Sequence, residues 1–212
     1  MNCVLVYFMW KEDKMSEIRI IEKPDWISYE DIHELLYIAH ESNRKKGFTV
    51  NTALMTGNEI EKHIGDQGKC FVALDGDKLV GTSSYRIIQQ NYWCCKCEVV
   101  DRILVGVLPE YKGKHISALL FQKIEEEAKE KGYAYIENRT SEENEIMQRL
   151  CIKDGYRYID FLSTKADHYT VVMLKWLYEC PYKDWYIKLH FNIRRILIKV
   201  RFKPGRKKRF FL

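Results

Sequence analysis

Apolar positions along this chain recur with two periods, near two residues and near 3.6, and the switching between them predicts strands alternating with helices. Residues 17–23, "EIRIIEK", read as a strand. Residues 28–45 then predict a helix with Ser28 at its N-cap and Ile32, Leu35, Leu36 and Ala39 on one face. A short second helix is expected over 56–66. Two strands within 70–88 flank an Asp-Gly pair, the strongest hairpin signal in the chain. A strand over 98–107 follows. From Lys114 to Lys131, Ile116, Leu119, Leu120, Ile124 and Ala128 form a helical stripe, closed by Gly132 where a left-handed cap belongs. A strand at 133–140, a capped helix at 141–155, and the runs "YRYIDFLS" and "HYTVVMLKWL" complete a sheet. The expectation is an α/β fold with a central sheet flanked by helices.

Charge separates one end from the rest. The net charge is +5. Residues 181–212 hold eleven Lys and Arg against Asp184 alone, a balance of +10, which leaves −5 for residues 1–180. Within this tail Trp185, Leu189, Ile193, Ile196, Leu197 and Val200 recur at helical spacing, and Lys188, Arg195 and Lys199 line another side. Phe191, Ile198 and Phe202 fall off the stripe, and Pro204-Gly205 breaks it before "RKKRFFL". The tail reads as a basic amphipathic extension, either packed on the domain with its charges in water or lying on an anionic membrane surface. Nucleic acid ranks behind both, because the tail's aromatics are not organised as a stacking platform. The chain therefore divides into an N-terminal extension (1–15), one domain (16–178) and the tail (179–212).

Composition narrows the class. A 212-residue chain with 46% hydrophobic residues, 4 Pro and 11 Gly suits one sizeable domain with an appendage. Seven cysteines form an odd set without framework spacing, so reduced thiols and a cytoplasmic location are expected, with the tail peripheral at the inner membrane face. The apolar run at 3–10 is too short to cross a membrane and lacks a basic lead-in and a cleavage site. It reads as an extra strand or as sequence upstream of a natural start at Met15. No metal is expected: Cys94, Cys95 and Cys97 lack a second pair, and the six histidines show no i, i+4 spacing. The hydroxyl run Gly81 to Tyr85 has no nucleophile elbow around it.

The stretch "LPEYKGKHISALL", residues 108–120, carries the chemistry. Pro109 and Tyr111 end a strand, Gly113 permits a tight turn, and the following helix start exposes backbone N–H groups at its positive dipole end. With Lys112 and Lys114 beside them, such amides form a cradle for a phosphate or pyrophosphate. This segment resembles the acetyl-CoA pyrophosphate loop of the GNAT superfamily of N-acyltransferases. Val107 to Tyr111 match its "V-x-P-x-Y" lead, and Lys112, His115 and Ser117 occupy the three signature places. A second motif, "NEIMQRLCIKDGY", is similar to the family's later helix, keeping Asn144, Leu150, Lys153 and Gly155, with Met147 in the alanine place and Tyr156 where Phe is usual.

The resemblance implies a mixed, mostly antiparallel sheet and an N-acetyltransferase that moves an acetyl group from acetyl-CoA to a primary amine of a small molecule or peptide. It implies cofactor contacts from Val105, Val107, Leu108, Lys112, Gly113, Lys114, His115, Ile116, Ser117 and Asn144. An N–H near Val105 is expected to polarise the acyl carbonyl, and the strands at 98–107 and 133–140 to splay around the pantetheine. Three departures stand out: His115 in a glycine place, Lys112 for Arg or Gln, and Cys151 where the family's acid is a tyrosine. Cys151 also suits a small buried residue, in which case water or another tyrosine serves as the acid. The usual carboxylate position holds Ile103 or Leu104, so Asp101 becomes the first candidate base, with Glu98 and Glu137 behind it and Arg102 as a neighbouring salt-bridge partner. The competing class is an acyl-CoA-binding or membrane-associated module without the chemistry, and the oligomeric state stays open.

Overall fold

The computed structural model describes residues 18–45, 51–163 and 169–201. The apolar run at 3–10, Phe202 and the "RKKRFFL" segment lie outside the described residues. Seven strands form one sheet in the order β1-β2-β3-β4-β5-β7-β6. They are β1 (Ile18–Glu22), β2 (Lys69–Asp75), β3 (Lys78–Tyr92), β4 (Cys95–Val107), β5 (Tyr135–Ser141), β6 (Arg157–Ser163) and β7 (Tyr169–Trp176). Every neighbouring pair is antiparallel except β4 and β5. The expected mostly antiparallel α/β sheet is therefore present.

Local chemistry sets the elements. Gly76, at φ 60°, turns β2 into β3 at the Asp-Gly signal. The β3–β4 hairpin is longer than the pattern suggested: residues 89–97, which the expected strands left out, pair from Gln89↔Glu98 to Tyr92↔Cys95 around a Trp93-Cys94 turn. Gln89, Gln90 and Asn91 gave no apolar alternation to betray the strand. Helix α1 (Tyr29–Ala39) starts on a reciprocal Ser28–Asp31 capping box, and α3 (Gly57–Ile64) on Thr56–Glu59. The single helix expected over 28–45 breaks at His40, and α2 (Glu41–Lys45) follows.

The sheet separates two apolar layers. Helix α4 (Ile116–Glu130) buries Ile116, Leu120, Phe121, Ile124 and Ala128 against Phe71, Ala73, Val100, Ile136 and Met173. At about 1.5–3 kcal/mol per fully buried large side chain, this layer dominates the energetics. Leu119, expected in that stripe, is exposed, and Phe121 takes the inward place. Helix α5 (Glu145–Lys153) lies on the same face through Cys151. On the other face Ile32, Leu36, Ile60 and Ile64 of α1 and α3 cover Val72, Leu74 and Leu104. Helix α6 (Asp184–Arg201) is docked along the edge strand β6. Its Ile187 packs with Val99, Ile159, Val172 and Leu174, and its Phe191 with Phe161 and Val171. Phe191, which fell off the predicted stripe, thus belongs to the packed face.

Candidate active site

The parallel strands β4 and β5 pair only at Val100↔Ile136, Asp101↔Glu137 and Arg102↔Asn138. Beyond these, β4 stays with β3 to Val107 and β5 stays with β7 to Ser141. A fork opens, and the β5-facing edge of residues 103–107 has no strand partner. Its cause is a bulge: Leu104 sits at φ 55°, and the register steps from Ser84↔Ile103 to Thr82↔Gly106. The extra residue reverses the facing of everything after it. Val100 faces the α4 layer and Leu104 the α1 layer, whereas Val105 and Val107 turn back toward α4. Gly106 lets α1 approach, since a Cβ there would lie 2.9 Å from Leu36 Cδ2. That approach brings His40 Nε2 to 2.9 Å from the Val105 carbonyl. Asn43 Nδ2 donates to His40 Nδ1 at 3.2 Å, which leaves Nε2 as the donor to Val105. Burial holds the His40 pKa down, so the ring stays neutral.

Beyond the fork, Pro109–Tyr111 form a 3-10 turn tied to β2 by Tyr111 Oη donating to Asp75 at 2.8 Å. Gly113 takes φ 86° and His115 takes φ 59°, so the imidazole residue adopts the left-handed conformation that the absent glycine would favour. Residues 112–115 are exposed. Among the described residues, the N–H groups of Gly113, His115, Ile116 and Ser117 have no backbone acceptor. Those of Lys112 and Lys114 donate to Pro109 and Tyr111, so these lysines offer only side chains.

Leu108 closes β4. Its N–H donates to Val80 at 3.0 Å, its carbonyl accepts from Tyr111 at 3.0 Å, and its side chain packs with Leu35 and Ala39. These contacts tie the residue to the end of the strand. Asn144 is the N-cap of α5, its Oδ1 accepting from Met147 N–H at 3.2 Å, which accounts for asparagine there by capping alone.

The last two register pairs before the fork place four polar side chains on opposite faces. Asp101 and Glu137 project toward α3 and α6. Asp101 is 2% exposed and accepts from Arg86 Nε at 2.8 Å. Arg86 Nη1 lies 3.3 Å from His63 Nδ1 of α3. Arg102, expected as the partner of Asp101, cannot reach it, because adjacent strand residues point to opposite faces. Glu137 accepts from Tyr92 Oη at 2.7 Å and from Arg139 Nε. Burial raises the pKa of both carboxylates, and the arginines only partly offset it. Glu98 lies apart, exposed and bonded to Gln89 on the outer hairpin.

On the other face sits Arg102, a residue the sequence reading passed over except as that expected partner. Its side chain is 1% exposed, with the guanidinium 3.4 Å from the Phe121 ring centre and 4.7 Å from that of Tyr156. Arg102 Nη2 donates to Cys151 Sγ at 3.2 Å and to Asn138 Oδ1 at 3.4 Å, and Nη1 lies 3.5 Å from Asp154 Oδ2. Burial pushes the Cys151 thiol pKa up, although Arg102 pulls it down. Arg102 Nε and Asn138 Nδ2 are buried without a partner among the described groups. Two unsatisfied donors at the fork apex, together with four free amides at the start of α4, suit a ligand rich in amide and phosphate oxygens.

Comparison with known proteins now bears on this geometry. A model described as the acetyltransferase (GNAT) family matches residues 20–156. The chain belongs to the acetyltransferase (GNAT) family. The matched span runs from β1 to Tyr156, and so contains the fork, the amide cradle and α5. Among solved structures, the ribosomal-protein-S18-alanine N-acetyltransferase of Escherichia coli is 11% identical, with a TM-score of 0.59 over 77% of this chain and 96% of that one. The PaiA N-acetyltransferase of Thermoplasma acidophilum, solved with coenzyme A, is 16% identical, with a TM-score of 0.55 over 76% and 99%. An aminoglycoside 6'-N-acetyltransferase, also complexed with coenzyme A, is 15% identical, with a TM-score of 0.55 over 77% and 99%. At these identities the likeness is one of fold. A search of curated protein sequences found no match. Two of these neighbours are held with coenzyme A.

Proposed function

We propose that this GNAT acyltransferase moves an acetyl group from acetyl-CoA to a primary amine of a small molecule or peptide by direct attack. The observation that carries the reading is the fork apex, where Asp101 and Glu137 lie on one sheet face and Arg102 and Cys151 on the other. Acetyl-CoA supplies an acyl group activated as a thioester. The free amides at Gly113, His115, Ile116 and Ser117, with Lys112 and Lys114, hold its diphosphate. The unpaired edge of residues 103–107 pairs with the pantetheine amides, and the Val105 N–H polarises the acyl carbonyl.

Asp101, backed by Glu137, accepts the proton of the attacking amine on the α3 side. A carboxylate pKa raised by burial suits that task better than an ordinary one. As the carbon–sulfur bond breaks, the departing thiolate takes the Cys151 proton, and Arg102 steadies the new Cys151 thiolate through its Nη2. Cys151 thereby serves in place of tyrosine, with Arg102 as its positioning residue.

Calorimetry with coenzyme A, followed by thiol release from acetyl-CoA over a panel of amines, tests the reading. Binding in the micromolar range with amine-dependent release is expected. Binding without release would leave a cradle lacking chemistry, and absence of binding would remove the co-substrate.

A further inference from the structure

Helix α6 turns its most apolar face away from the protein. Trp185, Leu189, Ile193, Ile196 and Val200 are spaced by four, four, three and four residues, which aligns them along one side of a helix. With Leu197 beside them, they are between 48% and 72% exposed. The packed side, carrying Ile187 and Phe191, lies opposite. A row of six large apolar side chains in water is unusual for a soluble surface and marks a contact. The charges around it are one-sided. Helix α6 carries Lys188, Arg194, Arg195, Lys199 and Arg201 against Asp184, a net +4; Arg194 is paired with Asp160, and Arg195 and Lys199 share the single charge of Glu142, so a cationic excess remains. Lys188, Arg195 and Lys199 border the stripe along one flank. By sequence, residues 202–212 add Lys203, Arg206, Lys207, Lys208 and Arg209 without an acid, ending in Phe210, Phe211 and Leu212.

We propose that this face of α6 docks on an anionic lipid surface, lying in the interface with its stripe toward the acyl chains and its cations among the headgroups. Charge complementarity selects that occupant. Pairing two copies through this face would gather two helices that each keep a cationic excess after their pairing with Asp160 and Glu142, which like-charge repulsion opposes. Trp185 and Tyr186 stand at the helix start, and such rings favour the headgroup boundary. Among the described residues no helix is long and apolar enough to cross a membrane, so the contact is with the surface. This inference is independent of the acetyl acceptor.

Flotation of the full chain with vesicles of phosphatidylcholine alone, and with phosphatidylglycerol added, is the test. One cation near an anionic surface strengthens binding about fivefold, so two or three predict partitioning stronger by ~25- to ~125-fold on anionic vesicles at low salt. Added salt should erode that gain, and tryptophan emission should shift to the blue on binding. The double variant Leu189→Glu, Ile196→Glu alters only exposed positions, so it should keep its fold and soluble acetyl transfer while losing vesicle binding. Equal binding to both vesicle types, or none, overturns the proposal. So does undiminished binding by the double variant, which would assign the contact to another segment. A lipid-free dimer that the double variant dissolves would make a second copy the occupant. A gain of binding on deleting residues 1–17 would make that apolar segment the cover.

Discussion

Replacing Arg102 with Met separates a catalytic contribution from a structural one, because the two effects are of different size. The guanidinium stacks on Phe121 and Tyr156 at 3.4 and 4.7 Å, contacts worth about 0.5–2 kcal/mol each when desolvated. Removing it also deprives Asn138 Oδ1 of a donor, at about 1–3 kcal/mol. Against this, the variant no longer holds a charge out of water, a penalty of several kcal/mol in the native protein. Asp154 is not orphaned, since Lys175 Nζ remains 3.0 Å away and the carboxylate is part-exposed. The terms offset, and Met fills the apolar slot, so we expect a stability loss below ~2 kcal/mol, a fall in Tm of up to ~8 °C. Turnover should suffer more. A charge-assisted hydrogen bond to the Cys151 sulfur is worth about 1.5–3 kcal/mol. That is a loss of about 10- to 150-fold in kcat. The KM for acetyl-CoA should change less than kcat, because the α4 amides that hold the diphosphate stay in place. Any limb of the pH profile assigned to the Cys151 thiol should move to higher pH, since Arg102 is what pulls it down. Thermal melts and steady-state kinetics on one preparation decide the matter. A variant that melts several degrees lower but turns over at the wild-type rate would show Arg102 to be structural only and would remove Cys151 from the reaction.

Asp101→Asn should lower kcat/KM by about 10²–10⁴, the usual span for a lost general base. In the wild type, activity should fall as pH drops through an apparent pKa above the ordinary carboxylate range, because burial raises Asp101; in the variant that limb should vanish. His115→Gly relieves a left-handed side-chain residue, a strain of roughly 1–2 kcal/mol, and clears the cradle. Melting should rise and coenzyme A should bind more tightly by calorimetry, whereas weaker binding would mean that the imidazole donates to the ligand. Glu142 fastens α6 through Arg195 at 2.6 Å and Lys199 at 2.7 Å. Burial would raise the Glu142 pKa, but these hydrogen bonds outweigh it and hold it below the usual value. Its contribution is therefore complete above the ordinary Glu range and lost as pH falls through the lower folded value. Hydrogen exchange across α6 should accelerate on that acid side, and Glu142→Gln should show the faster exchange already at neutral pH.

The order of elements was legible because each rests on a local signal: Asp-Gly at the first hairpin, Ser28 and Thr56 at helix starts, Gly132 at φ 77° after α4. The cradle was legible for the same reason, since amides at a helix start are a local property. What stayed hidden depends on parity across strands. Asp101 was expected to pair with Arg102, yet alternation assigns its charge to Arg86 on the next strand. The bulge at Leu104 is invisible in composition, because leucine carries no preference for a positive φ, and with it went the facing of Val105. Arg102 could have been suspected: an arginine inside "EVVDRILVGV", a run hydrophobic enough to be covered on both faces, must be buried and therefore paired. The α6 stripe was seen, but with the wrong inference available, because amphipathicity names an apolar side without saying what it touches. Packing uses Ile187 and Phe191 instead.

These features converge on how α6 and the fork are joined. The helix is clamped twice, and both clamps belong to elements that build the site. The ring of His190 stacks on Trp93 at 4.4 Å, at the tip of the hairpin whose strands carry Arg86, Asp101 and Arg102. One turn further on, Arg195 and Lys199 hold Glu142, two residues before the Asn144 cap of α5, the helix that presents Cys151. Trp93 is fixed in turn by its Nε1 donating to the Ile159 carbonyl at 3.1 Å, so the first clamp is braced against β6. A body resting on the outer face of α6 therefore sets the orientation of a rigid unit. On the lipid surface proposed above, the fork would face a direction fixed by the helix, and an acceptor held at that surface would meet it at a raised local concentration.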